Sequence, residues 1–372
     1  MSSHPLLSTL PDPVILESIE ALRGKGSRFV RVRSTNGAEG LAPASERLDY
    51  LYPLFQQRVA PYFIRKDART LSHLVEGVYL HQSNYKLAGI AFWCCVGWID
   101  FAVMDLLGRI AGKPVWELLG GQRREALPVY LSSMRRDTTP QEEVAWLQER
   151  VGITGARAVK VKIGGRMSGN ADASPGRSEE LIRLARTAFG DDFTLYADAN
   201  GSYDASHAVA VGQMLEDYGV VMFEEPCPWE AYAQTQHVTQ ALRVPVAGGE
   251  QDSSWHRFRD MVAHHIVDIL QPDLDYNGGF LRTLRVAELA AGSGMPVTPH
   301  SPRSDANWVT LLHFVPCISN AGPYHEYNAD QVGRPVPCEP SLQVLNGEVA
   351  IPTGPGLGLT HDPAILKALE TY

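Results

Sequence analysis

The 372-residue chain is 44% hydrophobic and 20% charged, the balance of an ordinary globular protein long enough for more than one domain. Its formal net charge of −9 argues against non-specific nucleic-acid binding; it does not exclude an anionic substrate, because a bound metal can reverse the local field. The opening MSSHPLLSTLPDP lacks a basic start followed by an apolar run, so no signal peptide is expected.

In chain order, residues 14–20 (VILESIE), 28–33 (RFVRVR) and 39–43 (EGLAP) predict three short strands, with turns at Gly24, Gly26 and the hairpin pair Asn36-Gly37. The most apolar stretch, LAGIAFWCCVGWIDFAVMDLLG, is interrupted by Asp100 and Asp105. That predicts a buried helix rather than a membrane span, and Ile99, Ala102, Val103, Leu106 and Leu107 recur at helical spacing. GKPVWELLGG closes an α+β region over 1–125. Trp93 and Trp98 are expected in the core, Trp229 in packing, and His264-His265 at the surface. Five cysteines (Cys94, Cys95, Cys227, Cys317, Cys338) are odd in number and lack zinc spacing; they read as reduced, core-packed thiols of a cytoplasmic protein.

From residue 126 the texture alternates between strands and helices. Strands are predicted at 128–133, 157–163, 194–199, 220–224, 245–248, 267–271, 296–299 and 324–327. Eight units, without a GxGxxG opening the first, favour an α/β protein with a closed (β/α)8 barrel, here over 126–328, above a doubly wound sheet. The Pro- and Gly-rich tail, 329–372, is expected to pack back on the capping domain.

Charged residues punctuate the ends of these strands. Asp198, Glu224, Glu250, Asp273, His300 and Glu326 follow one another at intervals of 23–27 residues, about one βα unit, so each strand end delivers one functional group to the barrel mouth. Asp198 (ADAN), Glu224 (FEEP) and Glu250 (GGEQ) are three hard oxygen ligands on successive strands, which suits Mg²⁺. Lys160 and Lys162 in VKVK share a strand face and point into the barrel, where an ammonium beside a second cation and a metal releases its proton more readily. Asp273 beside His300 makes a general acid/base pair. Glu326 in YHEYN is placed to hydrogen-bond an anionic substrate group, provided its surroundings keep it protonated.

Lys160-x-Lys162, Asp198 with Asn200, Glu224-Glu225-Pro226, Gly249-Glu250, Asp273 and His300 together resemble the enolase superfamily, in its mandelate racemase-like subgroup. The resemblance spans nearly the whole chain, including the apolar helix and GKPVWELLGG. It implies Mg²⁺ on Asp198, Glu224 and Glu250, and Lys162 as base on one face of a small carboxylate substrate, with Lys160 near the carboxylate. It implies His300, oriented by Asp273, as acid/base on the opposite face. Glu326 would hydrogen-bond the carboxylate or enolate. Asn200 is a further substrate contact, and Arg303, Ser304 and Asn307 are candidates for reading hydroxyls. The implied reaction is α-proton abstraction to an enediolate, followed by loss of water: acid sugar dehydration. Racemisation or epimerisation, and lactone cycloisomerisation, use the same residues; a non-catalytic ligand-binding barrel is the rival from another class. A homo-oligomer is also implied. One departure concerns closure: the link near ALRGKGS is short where the family has a longer loop over the substrate. The insert 164–177 or the neighbourhood of Glu46 and Arg47 is expected to serve instead.

Overall fold

The computed structural model describes residues 10–121, 123–303 and 305–372. The expectation at Ser304 and that on the first nine residues lie outside them. The N-terminal strands β1 (Leu16–Gly24), β2 (Ser27–Ser34) and β3 (Glu39–Ala44) form an antiparallel meander. Only Lys25-Gly26 separates β1 from β2, and Gly26 takes φ +79°, a left-handed turn that glycine adopts without strain. The strand Glu370–Thr371 adds to the free edge of β1, with Leu22 opposite Thr371.

The helix Ile90–Ala111 packs across this sheet with an unbroken buried run from Phe92 to Gly108. It is long and apolar enough to cross a membrane, yet it is mostly buried inside the protein, as the two aspartates suggest. Trp93 and Trp98 are buried, as are Cys94 and Cys95. Asp105 Oδ2 accepts the Leu41 N–H of β3 at 2.8 Å and Arg109 Nε at 2.7 Å, and Oδ1 accepts the Leu357 N–H of the tail at 2.7 Å. Asp100 Oδ1 accepts the Phe280 N–H at the start of the barrel helix Phe280–Ala291 at 2.7 Å. Contact here is backbone to backbone: a Cβ at Gly40 would lie 2.2 Å from Ala102 O, and one at Gly108 2.7 Å from Gly356 Cα. A fourth fastening is His313, on the helix Val309–Phe314. Its Nδ1 accepts the Trp116 N–H at 3.3 Å while its Nε2 meets Leu357 O at 3.0 Å, so the neutral tautomer protonated at Nε2 satisfies both contacts.

The barrel strands are β4 (Ala126–Ser132), β5 (Ala158–Lys162), β6 (Thr194–Asp198), β7 (Met222–Glu224), β8 (Val246–Gly248), β9 (Ile269–Leu270) and β10 (His325–Asn328). They run parallel in sequence order, and β10 returns onto β4 with Glu326 opposite Tyr130. The strand expected at 296–299 is reduced to single bridges joining Val297 to Leu270 and to Ala321. Pro296 and Pro299 flank it, and proline has no N–H for a ladder. The tail also meets the foot of the barrel, where Glu348–Ala350 runs antiparallel to β4.

The inside of the barrel is layered by the two-residue period of its strands. Tyr130, Ala158, Tyr196, Met222 and Ala247 form an apolar plug. Two residues further along the first four of these strands come Ser132, Lys160, Asp198 and Glu224, all fully buried. The same alternation therefore closes the floor and lifts the charged groups above it.

Candidate active site

A cavity of about 680 Å³ opens at the C-terminal ends of the strands. Lys162, Asn200, Glu250, His300 and Arg303 line it from the barrel; Lys25, Arg28 and Arg47 line it from the cap, and Pro337, His361 and Ile365 from the tail.

Lys160 and Lys162 sit on a strand buried on both faces, and both point inward. Lys160 Nζ lies 2.7 and 2.8 Å from the oxygens of Glu224 and 2.9 Å from Glu326 Oε1. Burial alone would depress this ammonium; Glu224 and Glu326 outweigh it and hold it well above its ordinary range. Lys160 is thus a fixed positive charge and not the readily deprotonated amine that a buried lysine suggests. Lys162 Nζ pairs with Asp198 Oδ2.

Asp198 and Glu224 are register neighbours on β6 and β7. The Asn200 N–H reaches Asp198 Oδ1 at 2.8 Å, and its amide donates to Asp198 Oδ2 at 3.2 Å and Glu225 Oε2 at 3.3 Å. Asn200 Oδ1 accepts Arg136 Nη2 at 2.9 Å. All parts of the Asn200 amide are therefore engaged in holding carboxylates and an arginine. Gln271 Nε2 donates to Glu224 Oε2, and Gln251 Nε2 to Glu250 Oε1, each at 2.8 Å.

His300 Nδ1 is 2.8 Å from Asp273 Oδ2 and its Nε2 is 3.2 Å from Glu250 Oε2. Arg303 Nη2 grips both oxygens of Asp273, at 2.7 and 2.9 Å, and stands 3.3 Å from Asp275 Oδ2. Burial opposes the charge on Asp273; Arg303 and His300 overcome it and hold the carboxyl well below its usual range. Arg303, expected as a substrate contact, is committed to locking the partner of His300.

Glu326 differs from the sequence expectation in its protonation. Burial would raise its carboxyl, but Lys160 and His300 bring it down to about 2, and it also accepts the Ser301 N–H at 2.8 Å. It stands as an ionised partner of Lys160 and not as a neutral acid. The remaining acids are crowded. Burial, then Asp198 and Glu224, push Glu225 up to about 8, and burial with Glu225 carries Glu250 well above its usual range. The buried Glu225 Oε1 has no hydrogen-bond partner among the described residues. Among the described residues no three acidic, histidine or cysteine side chains are already gathered at metal-ligand spacing; Asp198 and Glu224 are turned to the lysines.

Sequence reasoning missed Gln271 and Arg136. Gln271 was within reach, since it precedes Asp273 by two residues, the spacing that singled out Lys160. Arg136 follows the end of β4 in the run Met134-Arg135-Arg136-Asp137, where nothing local distinguishes it from its neighbours. The insert after Lys162 is laid against the loop after β6: the Arg166 N–H donates to Ser202 Oγ at 2.9 Å, the Met167 N–H to Asn200 O at 3.0 Å and the Asn170 N–H to Ser202 O at 2.8 Å. Trp229 is half-buried under Arg257, at 5.1 Å, and His264-His265 are exposed.

The family described as Enolase C-terminal domain-like matches residues 142–365. The D-galactarolactone cycloisomerase of Agrobacterium fabrum is 31% identical, covering 82% of this chain and 80% of its own. The arabinonate dehydratase of Saccharolobus solfataricus is 25% identical, over 84% and 81% of the two chains. The solved structure of a mandelate racemase/muconate lactonizing protein from Paracoccus denitrificans, complexed with magnesium, superposes with a TM-score of 0.88 at 25% identity, covering 96% of this chain and 99% of that one.

Proposed function

Because this chain belongs to the enolase superfamily, in its mandelate racemase-like subgroup, we propose that it is a Mg²⁺-dependent enzyme acting on a small hydroxy-carboxylate, an acid sugar dehydratase. The observation that carries this reading is the placing of two proton-transfer groups around one carboxylate set. Lys162 is paired with Asp198, His300 stands against Glu250, and both line the same cavity.

The donor set suits the metal. Asp198, Glu224 and Glu250 offer hard oxygens, and acids crowded enough to push Glu225 and Glu250 upward are relieved by a divalent cation. When bound, Mg²⁺ supplies positive charge beside the substrate carboxylate and so acidifies the α-proton.

The chain's own residues do the rest. Lys162 takes the α-proton. Lys160, held positive between Glu224 and Glu326, opposes the negative charge that then builds on the carboxylate. His300, oriented by an Asp273 that Arg303 locks, gives a proton to the β-hydroxyl. The C–O bond breaks as the carbon–carbon double bond forms, water leaves, and the enol tautomerises to a 2-keto acid. The 31% identical cycloisomerase supports a second reading, in which the same groups serve a lactone.

A screen of acid sugars and, separately, of their lactones with Mg²⁺, read by semicarbazide trapping of 2-keto acids, separates the two by substrate: dehydration needs the open acid, whereas expulsion of a ring oxygen needs the lactone and releases no water. Lys162→Ala is expected to lose both turnover and α-proton exchange in D₂O, by about 10²–10⁴-fold. His300→Asn is expected to lose dehydration while keeping exchange. Full turnover in either variant, or full activity in chelator, overturns the reading.

A further inference from the structure

Charge in the cavity divides by depth. The floor is rich in acids, and each cation there has an acidic partner. The mouth carries arginines that do not. Arg28 is committed to Asp49, at 2.6 Å; Arg47, Arg136 and Arg166 line the same cavity with no ion pair among the described residues.

Two of these are half-buried. Arg47, just after β3, lies over the Tyr276 ring, Cζ to centroid 4.7 Å, and the centroid of that ring is 5.9 Å from that of His300. Arg136, just after β4, is held by neutral acceptors: Gly164 O at 3.1 Å and Asn200 Oδ1 at 2.9 Å. Burial lowers its guanidinium. Arg166 is exposed on the insert after Lys162, whose backbone is tied to the loop after β6. The three arginines thus come from the cap, the loop after the first barrel strand and the insert after Lys162. A partly desolvated guanidinium with no direct ion-pair partner keeps donors free for a ligand, and a rigid donor fork recognises carboxylate or phosphate.

We propose that Arg47, Arg136 and Arg166 form an anion subsite at the mouth, so that the substrate is a dianion: a hydroxy acid bearing a second carboxylate or a phosphate at the end remote from the reacting carboxylate. The proposal rests on the acid sugar reading and narrows it. It also gives the short β1–β2 turn a role, because a compact turn leaves room for charged groups to meet the remote end of the substrate.

The test compares six-carbon aldaric acids, the aldonic acids of matched configuration and the aldonate 6-phosphates, by calorimetric titration with Mg²⁺ and by turnover. The wild type is expected to bind one dianionic class at least about 10-fold more tightly than the matched monoanion, the worth of one charge-assisted contact. Which class does so identifies the remote group. Arg47→Gln and Arg166→Gln are each expected to remove about 10-fold or more of that preference, mainly through KM, and to leave kcat for the monoanion within about 3-fold. Arg136→Gln, which also frees Asn200, is read by binding alone. Equal affinity for mono- and dianions, or variants that weaken both alike, overturns the subsite and leaves the arginines as a long-range balance to the acidic floor. Tight, arginine-dependent dianion binding without proton exchange on any acid supports the subsite and overturns the reaction.

Discussion

Buried carboxylates occur in two regions, and they are satisfied differently. In the cap helix, Asp100 and Asp105 accept backbone N–H groups from distant segments, Phe280 of the barrel, Leu41 of β3 and Leu357 of the tail, with Arg109 beside Asp105 as the one cation among the described residues. At the barrel mouth, Asp198, Glu224, Asp273 and Glu326 face lysine, histidine and arginine side chains, Glu250 meets both His300 and further acids, and Glu225 faces other acids. An acid fed by amides of other segments fastens those segments together. An acid opposed by movable cations and by further acids strains the fold, and is retained for chemistry.

The sharpest way to break this distinction is to neutralise one acid in each region. Glu250→Gln is expected to cut turnover by at least about 10³-fold, since it touches both a metal position and His300, while the melting temperature stays level or rises as like-charge crowding is relieved. Steady-state assays beside a thermal melt check both halves; a large fall in melting temperature would place Glu250 with the fastening acids. Asp105→Ala is expected to do the reverse. Loss of a buried, paired acid that joins three segments costs about 3 kcal/mol, read from denaturant midpoints, with kcat per folded molecule unchanged.

His313 sharpens the comparison by replacing acid with base. Burial holds its imidazole down to about 4, below the unfolded value near 6.5. The unfolded chain therefore binds the extra proton first, so this contribution to stability is complete above pH 6.5 and is lost as pH falls towards 4. The expected loss is up to about 3 kcal/mol over that window, visible as a falling melting temperature that His313→Gln flattens. Asp100 gives the opposite sign. Burial raises its carboxyl to about 7, against the backbone bonds from Phe280 and Leu281. Between pH 4 and 7 the native state binds more protons than the unfolded one, so wild-type stability from this group falls as pH rises. Asp100→Asn, which keeps the acceptor, should gain on the wild type by up to about 4 kcal/mol across that window. A pH-independent difference would show that the acid is not held neutral.

Much of this was legible in the sequence because the barrel repeats. One side chain per βα unit, each closing an apolar run, located Asp198, Glu224, Glu250, Asp273, His300 and Glu326 near a common mouth without knowledge of any contact. The VKVK alternation likewise located both lysines. Protonation was not legible: whether Lys160 is a base or a fixed charge depends on Glu224 and Glu326, which arrive from strands 64 and 166 residues away in the chain. The commitments of Asn200 and Arg303 to neighbouring carboxylates were equally hidden, since a side chain's partners across a barrel leave no local pattern. The shortened strand at Val297 was present in its two flanking prolines, and a reading that weighed them would have expected a bridge.

The joint between cap, barrel and tail is made largely of missing side chains. At Gly40, Gly108 and Gly356, any Cβ would lie within 2.7 Å of backbone or of Asp105, so these positions admit essentially one residue. The cavity wall is built from Lys25, Arg47, Arg166, Pro337 and Ile365, drawn from turns, connecting segments and the short helix Pro363–Lys367, where a changed side chain does not meet that joint. A lineage built on this plan can change its substrate by altering the wall while the hinge-less joint stays as it is. Divergence of specificity and preservation of architecture then fall on separate sets of residues.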